Sequence, residues 1–154
     1  MKIIGEKSMA TYVKMALDII FIGGIGILFS LPVSVKWYLT RIYGSNTDGD
    51  YYFLIGLLIV TGILALGILR EIRKIFDTLK GKDPFVIENV KCLRRMGIFS
   101  FLISFFYLFK VIFLNSSFTI IIVMIFVIAG FFSIILAEVF KQAVEVKNEN
   151  DYTI

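Results

Sequence analysis

Few residues in this 154-residue chain could do chemistry. There is no histidine, so the usual general base near neutral pH and the commonest metal ligand are both missing. The one cysteine, Cys92, can form neither an internal disulfide nor a Cys-x-x-Cys redox pair, and in a reducing compartment it is expected to be inert. The glycine-rich patterns that cradle phosphate do not occur, and neither does a Gly-x-Ser-x-Gly nucleophile elbow. Asp48 and Asp50 are close in sequence, but two carboxylates are too few for a calcium cage. Asp18 is the acid that stands out, because it opens a long apolar run. An acid buried in a membrane serves as a proton or cation relay, or is neutralised by a partner. Lys14, four residues earlier, is the partner that helical spacing offers. Glu138 occupies the matching place at the far end of the chain. No catalytic residue, cofactor or metal is expected, and the chain reads as a non-enzyme.

The segments that carry these residues are oily. The chain is 58% hydrophobic and 18% charged, against about half and about a quarter in an ordinary soluble domain. That balance excludes disorder and a disulfide scaffold. Runs free of Asp, Glu, Lys and Arg cover 19–35, 51–69, 96–109 and 111–137. A bilayer core about 30 Å thick needs roughly 20 apolar residues as a helix. Asn115, Ser116 and Ser117 supply a turn that divides the last two runs. The reading is an all-α integral membrane protein, a four-helix transmembrane bundle with spans at 15–36, 51–70, 96–114 and 118–137. Lys110 sits near the end of span three, where its long stem can snorkel to the interface. The first run is long for the core of a signal peptide and lacks a small-residue cleavage pattern, so it is expected to stay as a span. The runs are continuously apolar, unlike the alternating strands of a membrane barrel.

Thirteen of the sixteen Lys and Arg residues fall before span one, between spans two and three, or after span four. The positive-inside rule then puts both termini and the middle loop in the cytoplasm. The formal charge of +4 thus reports membrane orientation rather than contact with nucleic acid. Trp37, Tyr38, Tyr43, Tyr51 and Tyr52 read as an aromatic belt around an outer loop at 44–50. Gly23, Gly24, Gly26, Gly56, Gly62 and Gly67 would let helices approach closely.

Beyond span two the pattern turns amphipathic. Ile72, Ile75, Phe76 and Leu79 share one helical stripe, with an Arg73–Asp77 pair on the polar side. Gly81 suits a helix stop, and Asp83-Pro84 suits a restart, with Asp as cap and Pro as first helical residue. Val86, Val90, Leu93 and Gly97 carry the stripe into span three. A hairpin at 70–95 and a tail at 138–154 are expected, so that helices two, three and four extend into a cytoplasmic stalk. On the tail, Val139, Phe140 and Ala143 share a side, and Glu138–Lys141 and Lys141–Glu145 have ion-pair spacing. The stripes either pack on each other inside the stalk or offer a groove to a partner helix. The basic cluster of Arg70, Arg73, Lys74, Lys91, Arg94 and Arg95 suits anionic lipid headgroups.

Two stretches carry a family likeness. Gly81-Lys82-Asp83-Pro84-Phe85, followed by Glu88-Asn89-Val90-Lys91 and Leu93-Arg94, resembles a signature that opens span three in a bacterial membrane family. Leu136-Ala137-Glu138-Val139-Phe140-Lys141-Gln142, then Glu145 to Ile154 with its Glu149-Asn150-Asp151 core, resembles that family's closing pattern. Ala143 stands where the pattern has Gly. The family is catalogued as domain of unknown function 2975, and the likeness covers essentially the whole chain. It implies a small protein of the bacterial cytoplasmic membrane without established enzymatic activity. Members are often encoded beside a small helix-turn-helix regulator, which implies such a soluble transcription regulator as partner, without DNA contact by this chain. The positions the pattern picks out are Pro84, Phe85, Asn89, Glu138, Gln142, Glu149, Asn150 and Asp151. Phe85 would cap the hairpin tip, Asn89 would bond a neighbouring helix or the tail, and the acidic tail would fold back on Arg94 and Arg95.

The leading functional expectation is a regulatory or sensory subunit that presents its hairpin and tail to a soluble partner. The competing ones are a small oligomeric transporter or channel using Asp18, and a structural subunit of a larger membrane complex. The bilayer itself is a partner in all three, and a homo-oligomer is compatible with each.

Overall fold

The structure, a computed structural model, describes residues 9–43, 48–80, 84–113 and 117–152. Four helices account for nearly all of them: α1 (Met9–Tyr38), α2 (Asp48–Lys80), α3 (Ile87–Phe113) and α4 (Ser117–Tyr152), with a π-helical turn at Leu39–Tyr43 continuing α1. All four are long and apolar enough to cross a membrane. Helices are the element an oily chain can form in lipid, because every backbone N–H and C=O finds its partner within the same segment. The outer faces stay oily: Phe29 is 82% exposed and Phe118 80%. Exposed apolar surface on this scale is what a water-soluble fold avoids and a lipid-facing one requires.

The helices pack chiefly in chain order, α1 on α2, α2 on α3 and α3 on α4. Small residues set how close they come. Gly24 on α1 faces Leu66 on α2, and Gly62 on α2 faces Leu28 on α1, so each helix offers a notch to the other's leucine. At the α3–α4 contact, a Cβ on Gly97 would lie 3.2 Å from the Gly130 carbonyl oxygen and 2.8 Å from the Ile134 side chain. A Cβ on Gly130 would meet the Phe101 ring at 2.9 Å. Buried Ser100, Ser104, Thr119 and Ser133 line α3 and α4, in keeping with the small and polar residues that membrane helices place at their contacts. Gly23, Gly26 and Gly56 have nothing within 4 Å, so the expectation of close approach fails for these three and holds for Gly24, Gly62 and Gly67.

Several boundaries differ from the sequence reading. α2 starts at Asp48, inside the stretch expected to be loop. α3 starts at Ile87 rather than at Pro84. The Pro84 carbonyl accepts a hydrogen bond from the Asn89 side chain at 2.8 Å, so it is engaged by a clasp instead of a first helical turn. The expected roles of Gly81, Asp83 and the Asn115–Ser116 turn fall outside the described residues.

Gly97→Val should lower the stability of the detergent-solubilised protein by about 1–3 kcal/mol, the usual cost of overpacking a tight contact. Gly23→Ala should stay within about 0.5 kcal/mol of the parent, as changes away from packed contacts do. Unfolding in graded denaturing detergent, followed by circular dichroism, compares the two.

Candidate functional site at the charged end of the bundle

Most described charged residues gather at one end, where α1 begins, α2 ends, α3 begins and α4 runs on. Helical spacing offers Lys14–Asp18 on α1 and Arg73–Asp77 on α2 as pairs within one helix. The structure crosses them instead. Lys14 donates to Asp77, and Arg73 Nε lies 2.5 Å from Asp18 Oδ1. The Arg73 and Asp18 atoms are shut off from solvent and make no hydrogen bond, so the second contact is coulombic. The reason is antiparallel packing. Each helix carries one cation and one anion a turn apart, in the order that sets opposite charges face to face when the helices run in opposite directions. The Arg73 guanidinium also sits 4.7 Å from the centre of the Phe21 ring, a cation–π contact that covers its face. Asp18, the expected membrane acid, therefore has its counter-ion on α2 rather than in Lys14.

The α2–α3 hairpin closes around two buried polar groups. Glu71 is 5% exposed. Its Oε1 accepts from Lys74 Nζ at 2.7 Å and lies 3.7 Å from Arg95 Nη1. The buried Cys92 thiol reaches the same carboxylate, while Oε2 makes no hydrogen bond. Asn89 is wholly buried. Its Nδ2 donates to Thr78 Oγ1 at 2.7 Å and to the Pro84 carbonyl at 2.8 Å, and the Thr78 hydroxyl lies 2.7 Å from the Ile75 carbonyl it donates to. One side chain thus ties the end of α2 to the segment that enters α3.

α4 joins through packing and one ion pair. Val90, Leu93, Ala137 and Val144 form a buried cluster, flanked by Ile75, Met96, Leu136 and Phe140. The Phe85 and Phe140 rings lie 5.7 Å apart, and Arg94 Nη2 is 2.5 Å from Glu138 Oε1. The buried side of the tail is therefore Ala137, Phe140 and Val144, while Val139, expected on that side, is 54% exposed. Lys141 pairs with Glu145 at 3.7 Å, as spacing suggests. Glu138 turns to Arg94 instead of Lys141.

The expected fold-back of the acidic tail is not what α4 does. It stays helical to Tyr152. Glu149 lies eleven residues beyond Glu138, about 16 Å farther along the axis. Arg94 is level with Glu138, and Arg95 points to Glu71. A continuous helix carries Glu149 and Asn150 past both arginines, and the Asp151 side chain lies outside the described residues. Gln142 is exposed on α4. Of the positions singled out in the sequence, the structure brings together Pro84 with Asn89, Phe85 with Phe140, and Arg94 with Glu138.

The model of a family described as protein of unknown function (DUF2975) matches residues 10–154. The chain belongs to this family. No curated protein and no solved structure matches it. Both stretches of the DUF2975 likeness fall at the charged end, the first across the Asn89 clasp and the second along the stretch of α4 that meets Arg94 and Phe85. Sequence reasoning missed Glu71 and Thr78. The signal was present: Glu71, Ile75 and Thr78 share a helical face at i, i+4 and i+7. That face, one residue round from the apolar stripe, is the one turned to α3. Among the described residues no three His, Cys, Asp or Glu side chains converge on a point where a metal could sit.

Asn89→Leu should destabilise the protein by about 1–3 kcal/mol, since Thr78 and the Pro84 carbonyl lose a buried partner. Asn89→Asp should not restore it, because a carboxylate cannot donate to that carbonyl; thermal melts of the two variants check this. A double-mutant cycle between Asp18→Asn and Arg73→Gln should give a coupling of up to about 1 kcal/mol, as partly exposed pairs do. The same cycle between Asp18→Asn and Lys14→Gln should give less.

Proposed function

We propose that this protein is a non-enzymatic regulatory or sensory subunit of the bacterial cytoplasmic membrane. Both termini and the α2–α3 hairpin lie in the cytoplasm, and the charged end of the bundle engages a soluble partner there. The reading rests on the surface that the charged end leaves uncovered. Val139, Gln142 and Val146 follow one another at i, i+3 and i+7 on α4, and all three are exposed. They lie beyond the apolar run that ends at Ala137, on a segment rich in Lys, Glu and Asn. Phe85 and Ile87 are exposed at the neighbouring hairpin tip. An apolar stripe outside the hydrocarbon is a docking surface for an amphipathic helix. The buried face of the same segment is already used within the bundle, so the exposed stripe is surplus to folding.

Helix length supports the same reading. α4 has 36 residues, about 54 Å of helix, where roughly 20 residues span the hydrocarbon. Ten basic residues among those described at this end favour the cytoplasmic side under the positive-inside rule. The family likeness supplies the kind of partner, a small helix-turn-helix transcription regulator. Asp18 has a coulombic partner in Arg73, which supports a role in holding α1 to α2 over one as a transport relay.

Full-length tagged protein, solubilised from its native host, should recover a soluble helix-turn-helix DNA-binding protein. Val139→Asp combined with Val146→Asp should cut that recovery about tenfold, the effect of losing apolar anchors from a helix-in-groove contact, while leaving the melting temperature unchanged. Recovery of another integral membrane protein at fixed stoichiometry from both chains would instead establish a structural subunit.

A further inference from the structure

A long groove, floored by α2, separates α1 from α3 and α4 on the side away from the charged end. At its mouth, near the ends of α1 and α3, it has a volume of about 760 Å³ and is bordered by Trp37, Tyr38, Tyr107 and Lys110. Leu31, Leu58 and Tyr107 also border a narrower stretch of about 280 Å³ that continues along α1 as far as Gly24. Trp37 and Gly24 are thirteen residues apart, about 20 Å of helix, against about 15 Å for half of a bilayer's hydrocarbon. The inner walls are almost wholly apolar.

Lys110 is the charged side chain on these walls. It lies in the last turn of α3 and is half-buried. None of the ion pairs among the described residues includes it. A cation at membrane depth needs an anionic partner or water. Trp37 and Tyr38 stand at the same level, as side chains at the headgroup boundary do. The mouth thus combines a cation, interfacial aromatics and a hydrocarbon-lined slot behind them.

We propose that this groove is a phospholipid site. One acyl chain lies along α1 from Trp37 toward Gly24, and the headgroup phosphate is held by Lys110 in the leaflet at that end. The cation at the mouth favours a phosphate-bearing lipid over an apolar helix of a second copy. The slot is a few hundred Å³ and is bordered along its length by Leu31, Leu58 and Tyr107, the width of a hydrocarbon chain rather than of a helix about 10–12 Å across. The bound chain fills the gap between α1 and α3–α4, and so ties α1 to helices that it otherwise reaches mainly through α2.

The test uses the full-length protein, delipidated in detergent and offered dioleoyl phosphatidylglycerol or dioleoylglycerol, with retained lipid counted by native mass spectrometry. The parent should hold one phosphatidylglycerol and retain dioleoylglycerol about tenfold less, the margin of a charge-assisted contact. Lys110→Gln should bring phosphatidylglycerol down to the dioleoylglycerol level, and Lys110→Arg should keep it. Leu58→Trp, which fills the slot, should expel both lipids with helicity unchanged. Equal retention of phosphatidylglycerol by parent and Lys110→Gln would overturn the proposal. So would a Leu58→Trp variant that changes its oligomeric state while holding lipid as before, since a second copy would then be the occupant. The Lys110 arm decides the matter even if Leu58→Trp does not fold.

Discussion

Inside a bilayer a leucine gains nothing by leaving lipid for protein, so burial of apolar surface does not hold these helices together. What remains is contact close enough for dispersion, and charge at the ends. The structure follows both. Gly24 and Gly62 accept each other's facing leucines, and Gly97 and Gly130 bring the α3 and α4 backbones together. At the charged end four cross-helix ion pairs among the described residues tie neighbours: Lys14–Asp77 and Arg73–Asp18 between α1 and α2, Arg95–Glu71 between α2 and α3, and Arg94–Glu138 between α3 and α4. Between them the Asn89 clasp fixes the α2–α3 turn.

This division explains why the two ends of the bundle differ. The charged end has a packed cluster around Val90, Leu93, Ala137 and Val144, covered by ion pairs and by Phe85 on Phe140. Toward the opposite end the space between α1 and α3–α4 is an oily groove with a lysine at its mouth. One end is organised by protein contacts and resembles the core of a small helical domain. The other is organised around lipid. Regulation through the charged end and lipid at the other would make α1 the element that feels both, since Lys14 and Asp18 belong to one and Leu31 and Trp37 to the other.

The fold was legible because its signal is additive. Four apolar segments of roughly spanning length, once a turn at Asn115-Ser116-Ser117 divides the last two, are sums over many residues that one misplaced side chain cannot change. The pairings were legible only in part, because spacing within a helix and packing between helices compete for the same charges. Lys14 with Asp18, and Arg73 with Asp77, each satisfy the i, i+4 rule, and nothing in the sequence shows that the antiparallel arrangement offers each a better-placed partner. The Asn89 clasp lay in a stretch the sequence had marked, but its partner Thr78 was legible only through the face it shares with Glu71 and Ile75. The tail misled for a different reason. Opposite charges on Glu149 and Arg94 suggest attraction, whereas an uninterrupted helix carries Glu149 about 16 Å along its axis beyond Glu138, the residue Arg94 pairs with.

The central claim is that these helices pass from one face of a membrane to the other, with the charged end on one side and the aromatic end on the other. Single cysteines at Lys91, Gln142 and Tyr52, each exposed in the structure, report it directly in a Cys92→Ser background. With a membrane-impermeant maleimide, Lys91 and Gln142 should label from one face of sealed vesicles, and Tyr52 from the other. Labelling of Tyr52 and Gln142 from the same face would contradict the account.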